Sequence, residues 1–222
     1  AALHSGSHTP QAPALNADKA AAIKAAVSIP VILSGRIEPD VGNRAIAAGE
    51  ANFIAMGRKL LADPALPNKL AAGDEVEILP CIYCYTCISA IYTRQTARCA
   101  VNPRTGFENE VWLPPTSTPR DVLVIGGGPA GMEAARRLDR RGHRVTLVER
   151  SDRLGGTLQF ASIAYAPNER VLDWLRRGID HSGVNVRLKT AADSDMIKAL
   201  APDAVIVATG AKRELPPLPG AD

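Results

Sequence analysis

Two features of this 222-residue sequence predict an α/β fold, and its cysteines mark a separate segment. Short apolar runs alternate with helical segments along the chain, which is the pattern of parallel strands joined by helices. All four cysteines fall within nineteen consecutive residues, and a glycine-rich turn directly follows a later apolar run. Because these features occupy successive segments, we divide the chain into residues 1–78, 79–119 and 120–222.

The composition excludes several classes of protein. Hydrophobic residues make up 46% of the chain, an ordinary value for a globular protein, and no apolar run approaches the roughly 18 residues of a membrane-spanning helix. The net charge of +3 is too small to indicate a nucleic-acid partner. Residues 1–11 lack the hydrophobic core of a secretion signal. We therefore expect a cytoplasmic protein that acts on a small molecule, with no nucleic-acid or membrane partner.

The first segment contains one pattern twice: a helix, an apolar strand and a Gly-Arg pair. A helix is predicted from Asn16, its N-cap, to Ala26, and the run Ile29–Leu33 predicts a strand buried on both faces. A second helix begins near Pro39 and leads to the strand Asn52–Met56, after which helical leucines run from Leu60 to Leu70. The repeat indicates two successive βα units of a parallel sheet.

Each of these strands ends in a Gly-Arg pair, Gly35-Arg36 and Gly57-Arg58. In (β/α)8 barrels the loops after the last two strands commonly hold a phosphate. Glycine lets backbone N–H groups approach phosphate oxygens, and arginine adds charge-assisted hydrogen bonds. One such pair is usually a turn residue and a solvated charge, but two at equivalent positions favour a phosphate site. Two βα units cannot close a barrel of about 250 residues, so we expect the other six upstream, outside this chain.

The cysteines form the pattern C-x2-C-x2-C at Cys81, Cys84 and Cys87, completed by Cys99. The eleven residues between Cys87 and Cys99 are enough for a helical turn or two and a return. Four thiolates gathered in this way suit an iron–sulfur cluster, most simply a [4Fe–4S] cube with one cysteine per iron. Zinc is a weaker alternative, because a four-cysteine zinc site usually spaces its ligands as two separated C-x2-C pairs. Two disulfides would need an oxidising compartment that no signal peptide indicates, and unrelated buried cysteines rarely cluster so tightly.

Two further features surround the cysteines. Three of the four tyrosines lie in this segment, where they would either shield a cluster from water or occur by chance: Tyr83, Tyr85 and Tyr92. The stretch Pro114–Pro119, rich in Pro, Ser and Thr, is typical of a linker. We place a domain boundary there.

The third segment begins with the pattern of a dinucleotide-binding domain. The strand Asp121–Ile125 is followed at once by the turn Gly126–Gly131, a helix from Ala130 to Arg141 and a second strand, Val145–Val148. The second strand ends at Glu149, eighteen residues beyond Gly131. A lone G-x-G-x-x-G is weak evidence, but the strand, helix and acidic residue together supply the full context of a dinucleotide site.

The three glycines of this motif and the acidic residue after it each have an expected role. Gly126 makes the tight turn, Gly128 admits the pyrophosphate, and Gly131 allows close packing of helix and strand. The helix N-terminus offers free N–H groups to the pyrophosphate, and Glu149 can accept hydrogen bonds from the adenosine ribose. A glycine-rich turn without a ligand is the weaker alternative.

The rest of the segment continues the alternation of helices and strands. After a turn at Gly155-Gly156, we predict a helix at 171–178, a strand at 184–188, a helix at 196–200 and a buried strand at 203–210. No histidine pairs with a cysteine or serine nucleophile, because every cysteine is already assigned. We therefore predict no catalytic histidine and leave the catalytic residues unknown.

The order of these features resembles that of the iron–sulfur flavoproteins related to old yellow enzyme, the group of 2,4-dienoyl-CoA reductase, trimethylamine dehydrogenase and enoate reductase. The resemblance covers nearly the whole chain from about Ala26, and the cysteine segment is its most specific part. Local phrases also match: Pro30-Val31-Ile32 with Gly35-Arg36; Met56-Gly57-Arg58 with Leu61-Ala62-Asp63-Pro64; Val101-Asn102-Pro103-Arg104; and Ala208-Thr209-Gly210-Ala211.

The resemblance implies three cofactor sites. An FMN-binding barrel would contribute its C-terminal βα units, with phosphate contacts at Gly35, Arg36, Gly57 and Arg58. The four cysteines would bind a [4Fe–4S] cluster, and a Rossmann-like domain would bind FAD, or only ADP, through Gly126, Gly128, Gly131, Glu149 and Gly156. By the same resemblance, an upstream barrel and a downstream NAD(P)H domain belong to the same protein and lie outside this chain, and a homo-oligomer is possible.

The implied activity is that of an NAD(P)H-dependent oxidoreductase. Electrons would pass from NAD(P)H through FAD and the cluster to FMN, which reduces an activated C=C bond of the enoate or 2,4-dienoyl-CoA type. An amine dehydrogenase of the trimethylamine dehydrogenase type is one alternative, and a non-catalytic electron-transfer module that binds cluster and FAD is another.

Overall fold

The computed structural model describes residues 13–110 and 114–211. The chain divides into two compact units, residues 1–107 and 108–222. Both units are built from parallel strands and helices, which confirms the predicted α/β class. Among the helices of the described residues, none is long and apolar enough to span a bilayer.

The first unit alternates helices with two short strands. In chain order its elements are α1 (Ala17–Ala26), β1 (Ile32–Ser34), α2 (Pro39–Ala47), β2 (Phe53–Ala55), α3 (Gly57–Ala62), α4 (Leu66–Ala72), a 3₁₀ turn (Glu75–Glu77) and α5 (Thr86–Tyr92). Strands β1 and β2 pair in parallel, with Ser34 opposite Ala55. Because these paired residues are the last of each strand, both Gly-Arg pairs leave the sheet at the same edge.

One face of this small sheet carries the core. Leu33 is 1% exposed and packs in a cluster with Ala20, on α1, and Ala45, on α2. Ile32 and Phe53, paired across the two strands, are 61% and 57% exposed. The expected strand buried on both faces is therefore wrong for these residues, because α1 and α2 pack on the Leu33 side of the sheet.

The start of α1 also differs in detail from the prediction. Asn16 occupies the N-cap position, but its side chain makes no capping hydrogen bond to the helix. Its Nδ2 atom instead donates to the carbonyl oxygen of Ser34 over 3.2 Å. The helix boundary is correct and the capping role is wrong, because Asn16 ties the helix start to the end of β1.

The second unit has a four-stranded parallel sheet in the order β5-β4-β3-β6. In chain order its elements are β3 (Asp121–Ile125), α6 (Pro129–Arg140), β4 (Arg144–Val148), α7 (Leu158–Ala164), α8 (Pro167–Asp180), β5 (Asn185–Arg187), α9 (Ser194–Leu200) and β6 (Ala204–Val207). The order places the first strand of the unit between the second and the fourth, as in the first half of a Rossmann fold.

The core of this unit lies between the sheet and α6. Val124 on β3, Leu147 on β4, and Met132 and Ala135 on α6 are all completely buried. Strand β6 was predicted to be buried, but Val207 is 70% exposed. The prediction is wrong because β6 is the outer strand of the described sheet and pairs with β3 alone.

Candidate functional site

The arginines of the two Gly-Arg pairs both contact Tyr83, at the carboxyl edge of β1 and β2. The Cζ atom of Arg36 is 4.2 Å from the centroid of the Tyr83 ring, and Cζ of Arg58 is 5.2 Å from it. The structure thus brings together the two arginines that the sequence assigned to one phosphate site. Both guanidinium groups contact the same aromatic ring, which the sequence did not predict.

The two glycines of these pairs differ in their backbone. Gly35 has φ of +132°, which side chains of L residues rarely adopt. Gly57 begins α3 and has no heavy atom within 4 Å of the position that a Cβ would take. The fold itself therefore requires glycine at position 35, whereas at position 57 the absence of a side chain leaves open space beside Arg58.

All four cysteines line one pocket together with Arg58. Cys81 and Cys87 are each 8% exposed, whereas Cys84 is exposed and Cys99 is half-buried. None of the four is in a disulfide. Four free thiols around one cavity are the donor set that a [4Fe–4S] cluster needs, so the residues present fit that group.

The loop that carries the first three cysteines is bent by two residues with positive φ. Tyr83 has φ of +53° and Tyr85 has φ of +62°, so both adopt the left-handed conformation between successive cysteines. Helix α5 then begins at Thr86 and carries Cys87 in its first turn. The predicted helical turn or two between Cys87 and Cys99 is confirmed.

Burial is the largest influence on the pKa of the two buried thiols, Cys81 and Cys87. It raises the pKa of Cys81, although the backbone N–H of Tyr83 and the charge of Lys59 act in the opposite direction. Burial likewise raises the pKa of Cys87, against a hydrogen bond from the backbone of Ile88. These cysteines are therefore neutral thiols at pH 7 without a metal, and metal binding must displace their protons.

Across the described ranges, no three His, Cys, Asp or Glu side chains are grouped closely enough to hold a single metal ion. A [4Fe–4S] cluster does not need several side chains around one metal ion, because each thiolate binds its own iron.

The chain after Cys99 is fixed to the end of α3. Asn102 donates through Nδ2 to the carbonyl oxygen of Leu61 over 2.9 Å, and Thr105 donates through Oγ1 to the same oxygen over 2.7 Å. Both residues are buried. Because a carbonyl near a helix C-terminus lacks an intrahelical partner, these side chains satisfy it and set the path of the chain on the far side of Cys99.

The chain before Cys81 is fixed by a buried carboxylate. Asp63, 5% exposed, accepts hydrogen bonds from Nζ of Lys69 over 2.6 Å and from the backbone N–H of Leu79 over 2.8 Å. Lys69 also donates to the carbonyl oxygen of Glu77 over 2.7 Å. The approach to the cysteine loop is thus tied to the end of α3 through one ion pair.

In the second unit, two glycines of the G-x-G-x-x-G turn are required by the fold itself. Gly126 has φ of +111°, and a Cβ on it would overlap the carbonyl oxygen of Ala208. A Cβ on Gly131 would overlap the carbonyl oxygen of Gly126. At Gly128 the nearest atom to a Cβ would be Cα of Gly156, at 4.0 Å. Only Gly128 thus has ordinary space around it, on the side where Gly156 also lies.

Glu149 lies at the end of β4 and already supports the turn. Its Oε2 accepts from the backbone N–H of Gly127 over 2.6 Å, and its Oε1 accepts from the N–H of Ser151 over 2.8 Å. Partial burial by itself raises the pKa of Glu149, but these backbone hydrogen bonds outweigh it and hold the pKa below its usual value. Each carboxylate oxygen keeps a second lone pair for a ligand hydroxyl.

The loop that contains Gly155 and Gly156 is held from two sides by hydrogen bonds that the sequence did not predict. Gly155 donates its N–H to the carbonyl oxygen of Gly127 over 2.8 Å. Arg176, on α8, donates through Nε and Nη2 to the carbonyl oxygen of Leu154, over 3.2 and 2.6 Å. This loop therefore lies directly beside the glycine-rich turn.

Sequence reasoning also missed two charged residues of the first unit. Glu38 accepts hydrogen bonds from the hydroxyl of Tyr83 over 2.8 Å and from Nζ of Lys59 over 2.7 Å. A signal did exist, because Lys59 directly follows Gly57-Arg58 and Glu38 lies two residues after Arg36 in the sequence. Of the three tyrosines near the cysteines, Tyr83 is 4% exposed and Tyr92 is 83% exposed, so Tyr92 shields nothing.

Comparison with known proteins shows which families the two ends of the chain match. Residues 5–77 match the NADH:flavin oxidoreductase / NADH oxidase family, and residues 120–222 match the pyridine nucleotide-disulphide oxidoreductase family. An NADH oxidase of Thermoanaerobacter brockii is 42% identical over 208 residues, which are 90% of this chain and 32% of that protein. The chain therefore matches, over about a third of their length, the flavin oxidoreductases related to old yellow enzyme. The resemblance inferred from the sequence is therefore confirmed.

Two solved structures share the fold of this chain. A 2-naphthoyl-CoA reductase, in complex with 2-naphthoyl-CoA, is 33% identical, with a TM-score of 0.88. The alignment covers 95% of this chain and 33% of the reductase chain. The 6-hydroxypseudooxynicotine amine oxidase of Pseudomonas geniculata N1 is 31% identical with a TM-score of 0.88, over 98% of this chain and 35% of its own. The chain thus spans about a third of the length of these relatives.

Proposed function

We propose that this chain is part of an NAD(P)H-dependent oxidoreductase that reduces an activated C=C bond. The enzyme would use FMN, a [4Fe–4S] cluster and FAD (or ADP in its place). When bound, these groups would supply the transfer of electrons from NAD(P)H through FAD and the cluster to FMN. One observation carries the proposal: Arg58, at the proposed phosphate edge, lines the same pocket as all four cysteines. A flavin phosphate site and a cluster site would therefore be neighbours.

The proposed role of the strand-end residues is to bind the FMN phosphate. Gly35 and Gly57 would let the backbone approach the phosphate oxygens, and Arg36 and Arg58 would donate charge-assisted hydrogen bonds. The parallel pairing of β1 and β2 supports this role, because it brings both pairs to one edge.

The proposed role of the cysteines is to hold the cluster, with one thiolate per iron. Burial of Cys81 and Cys87 keeps water from the inner side of the site, whereas Cys84 remains exposed. The backbone N–H of Tyr83 would donate to the sulfur of Cys81, and such hydrogen bonds are among the factors that set a cluster's reduction potential.

The proposed role of the second unit is to bind the adenosine diphosphate part of FAD. The N-terminus of α6, a helix of twelve residues, would face the pyrophosphate, next to Gly128 and Gly156. Gly126 and Gly131 would shape the turn, and Glu149 would accept from the ribose hydroxyls. The close approach of Gly156 to Gly128 supports a site that involves both loops.

The C=C substrate class is supported by the name of one structural relative. In 2-naphthoyl-CoA the unsaturated ring is conjugated to the thioester carbonyl, and its reductase shares the fold of this chain. A second candidate is oxidation of an amine, which the amine oxidase of Pseudomonas geniculata N1 favours equally by fold. We assign no proton donor among the described residues.

Anaerobic reconstitution with iron and sulfide tests the cofactor assignment. About four irons per chain, broad visible absorption that bleaches on reduction, and an EPR signal in the reduced state are expected. Cys84→Ser should lose most of this iron, whereas Ser89→Ala, an exposed position on α5, should keep it. One zinc per chain with no iron would contradict the proposal and leave only the dinucleotide site.

Anaerobic mixing with substrates separates the two candidate reactions. An alkene reductase should reoxidise its reduced flavin when an α,β-unsaturated acid or thioester is added. An amine oxidase should instead bleach its oxidised flavin when a secondary or tertiary amine is added. Flavin absorbance therefore distinguishes the direction of electron flow.

A further inference from the structure

Tyr83 lies between two of the proposed cluster ligands and is surrounded by cations from both strand ends. Its ring centroid is 4.2 Å from Cζ of Arg36, 5.2 Å from Cζ of Arg58 and 5.5 Å from Nζ of Lys59. Tyr83 is 4% exposed. Cation–π contacts are strongest where water is excluded, so this ring is well placed to hold the charged groups around it.

The charges around this ring match a phosphate monoester. Glu38 accepts from the Tyr83 hydroxyl and from Lys59, so the phenol and the ammonium share one carboxylate. Three cations and one carboxylate leave a surplus of two positive charges. A phosphate monoester carries close to two negative charges at neutral pH.

The ring contact leaves the arginines able to bind such a phosphate. Contact with an aromatic ring uses the flat face of a guanidinium group, whereas its N–H donors point outward in the plane. The ring also lets Arg36 and Arg58 lie near each other, although their like charges repel. The contact with Tyr83 therefore does not itself use the N–H donors that would bind a phosphate.

The backbone of the same residue belongs to the cysteine loop. Tyr83 lies between Cys81 and Cys84, and its φ of +53° contributes to the bend of the loop there. Because the ring is buried and belongs to this segment, a shift of the arginines that displaces the ring would act on the segment that joins two cluster ligands.

We infer that Tyr83 is a positioning residue that couples phosphate binding at Arg36 and Arg58 to the arrangement of the cluster-binding loop. This inference rests on the proposed function, since it needs both the flavin phosphate and the cluster. Coupling between two sites is reciprocal. A bound phosphate ester therefore slows the loss of iron, and a loaded cluster raises the affinity for the phosphate.

The first test compares FMN with riboflavin, which lacks the phosphate, as ligands of the anaerobically reconstituted protein. The ratio of their dissociation constants, measured by quenching of flavin fluorescence, isolates the contribution of the phosphate. Tyr83→Leu should reduce the preference for FMN about tenfold. Tyr83→Phe keeps the ring and should keep most of the preference. Tyr92→Leu, at an 83% exposed position in the same segment, is the matched control and should change nothing.

The second test measures iron release to a chelator with FMN, with riboflavin and with neither. In the wild-type protein FMN should slow the release more than riboflavin does, and in Tyr83→Leu the two should be equal. This comparison in the wild type needs no variant, so it decides the question even where Tyr83→Leu does not fold. Equal release rates with FMN and riboflavin in the wild type would overturn the inference.

The outcomes separate the inference from the proposed function. A wild-type protein that binds no iron, or that does not prefer FMN to riboflavin, contradicts the proposed function and the inference with it. A wild-type protein that does both, together with a folded Tyr83→Leu that keeps the full FMN preference, contradicts the inference alone.

Discussion

Gly127 donates its backbone N–H to Oε2 of Glu149 over 2.6 Å, which ties the turn after β3 to the end of β4. The acidic residue expected to bind a ribose therefore also shapes the turn expected to bind the pyrophosphate. A substitution at Glu149 should consequently change both the stability of the domain and its affinity for a dinucleotide.

Glu149→Gln should lower the stability of the protein in a pH-dependent way. The pKa of Glu149 lies below its usual value in the folded state, so its ionised form stabilises the fold. This contribution is fully present above the usual carboxyl pKa of about 4.3 and is lost as the pH falls through the lower, folded-state pKa. Melting curves should therefore show a gap from the wild type at pH 7 that closes in acid. Asp173→Asn, exposed on α8, is the control, and a gap that widened in acid would contradict the assignment.

Gly128→Ala and Gly131→Ala should differ in their effects: the first should impair dinucleotide binding and the second should impair folding. A Cβ at 131 overlaps a backbone oxygen, so this variant should be destabilised by about 1–3 kcal/mol. A Cβ at 128 meets only Gly156, at an ordinary distance, so this variant should fold and yet lose affinity for FAD and ADP. Thermal melts and calorimetric titrations measure the two effects. Unchanged FAD and ADP affinity in Gly128→Ala would argue against a pyrophosphate at this turn.

Arg176→Lys should weaken dinucleotide binding although the charge is kept. Lysine cannot make the paired hydrogen bonds from Nε and Nη2 that hold the carbonyl of Leu154, so the loop with Gly155 and Gly156 loosens. We expect the dissociation constant for FAD to rise about tenfold, equivalent to about 1.4 kcal/mol. Arg153→Lys, at an exposed position of the same loop, should leave it unchanged. Equal affinities of both variants would show that Arg176 does not position the loop.

Asp63→Ala should destabilise the first unit far more than Asp40→Ala. Asp63 is buried and bonded to Lys69 and to a backbone N–H, so its loss should cost about 2–3 kcal/mol. Asp40 pairs with Arg44 on the surface of α2, where such a pair contributes less than about 1 kcal/mol. Urea denaturation followed by circular dichroism compares the two. Similar losses would mean that the buried pair contributes no more than the surface pair.

The sequence predicted those parts of the fold that depend on local patterns. The alternation of strands and helices, the glycine turn after Ile125 and the helix between Cys87 and Cys99 are each encoded within a short stretch. Helix α7 was not predicted, and none of its residues is buried. The exposure of Ile32 and Val207 was also missed, because apolar runs do not show which neighbours cover them.

The candidate site was predictable at the level of residue types but not of contacts. The cysteines and the Gly-Arg pairs are visible as motifs, and their cofactor roles stay predictions. The carboxylate of Glu38 was missed because its partner Tyr83 lies 45 positions further along the chain. The buried Lys59 was missed because lysine is rarely buried unless it is paired, and the pair forms only in the folded structure.

The long-range bonds of the cysteine loop have a consequence for the order of folding. Tyr83 bonds to a residue 45 positions earlier, and Thr105 bonds to one 44 positions earlier. Contacts between such distant positions form late, because closing a long loop costs entropy before any contact repays it. We therefore expect β1, β2 and α3 to assemble before the loop takes its final shape, so that iron would be inserted into a first unit that is already largely folded.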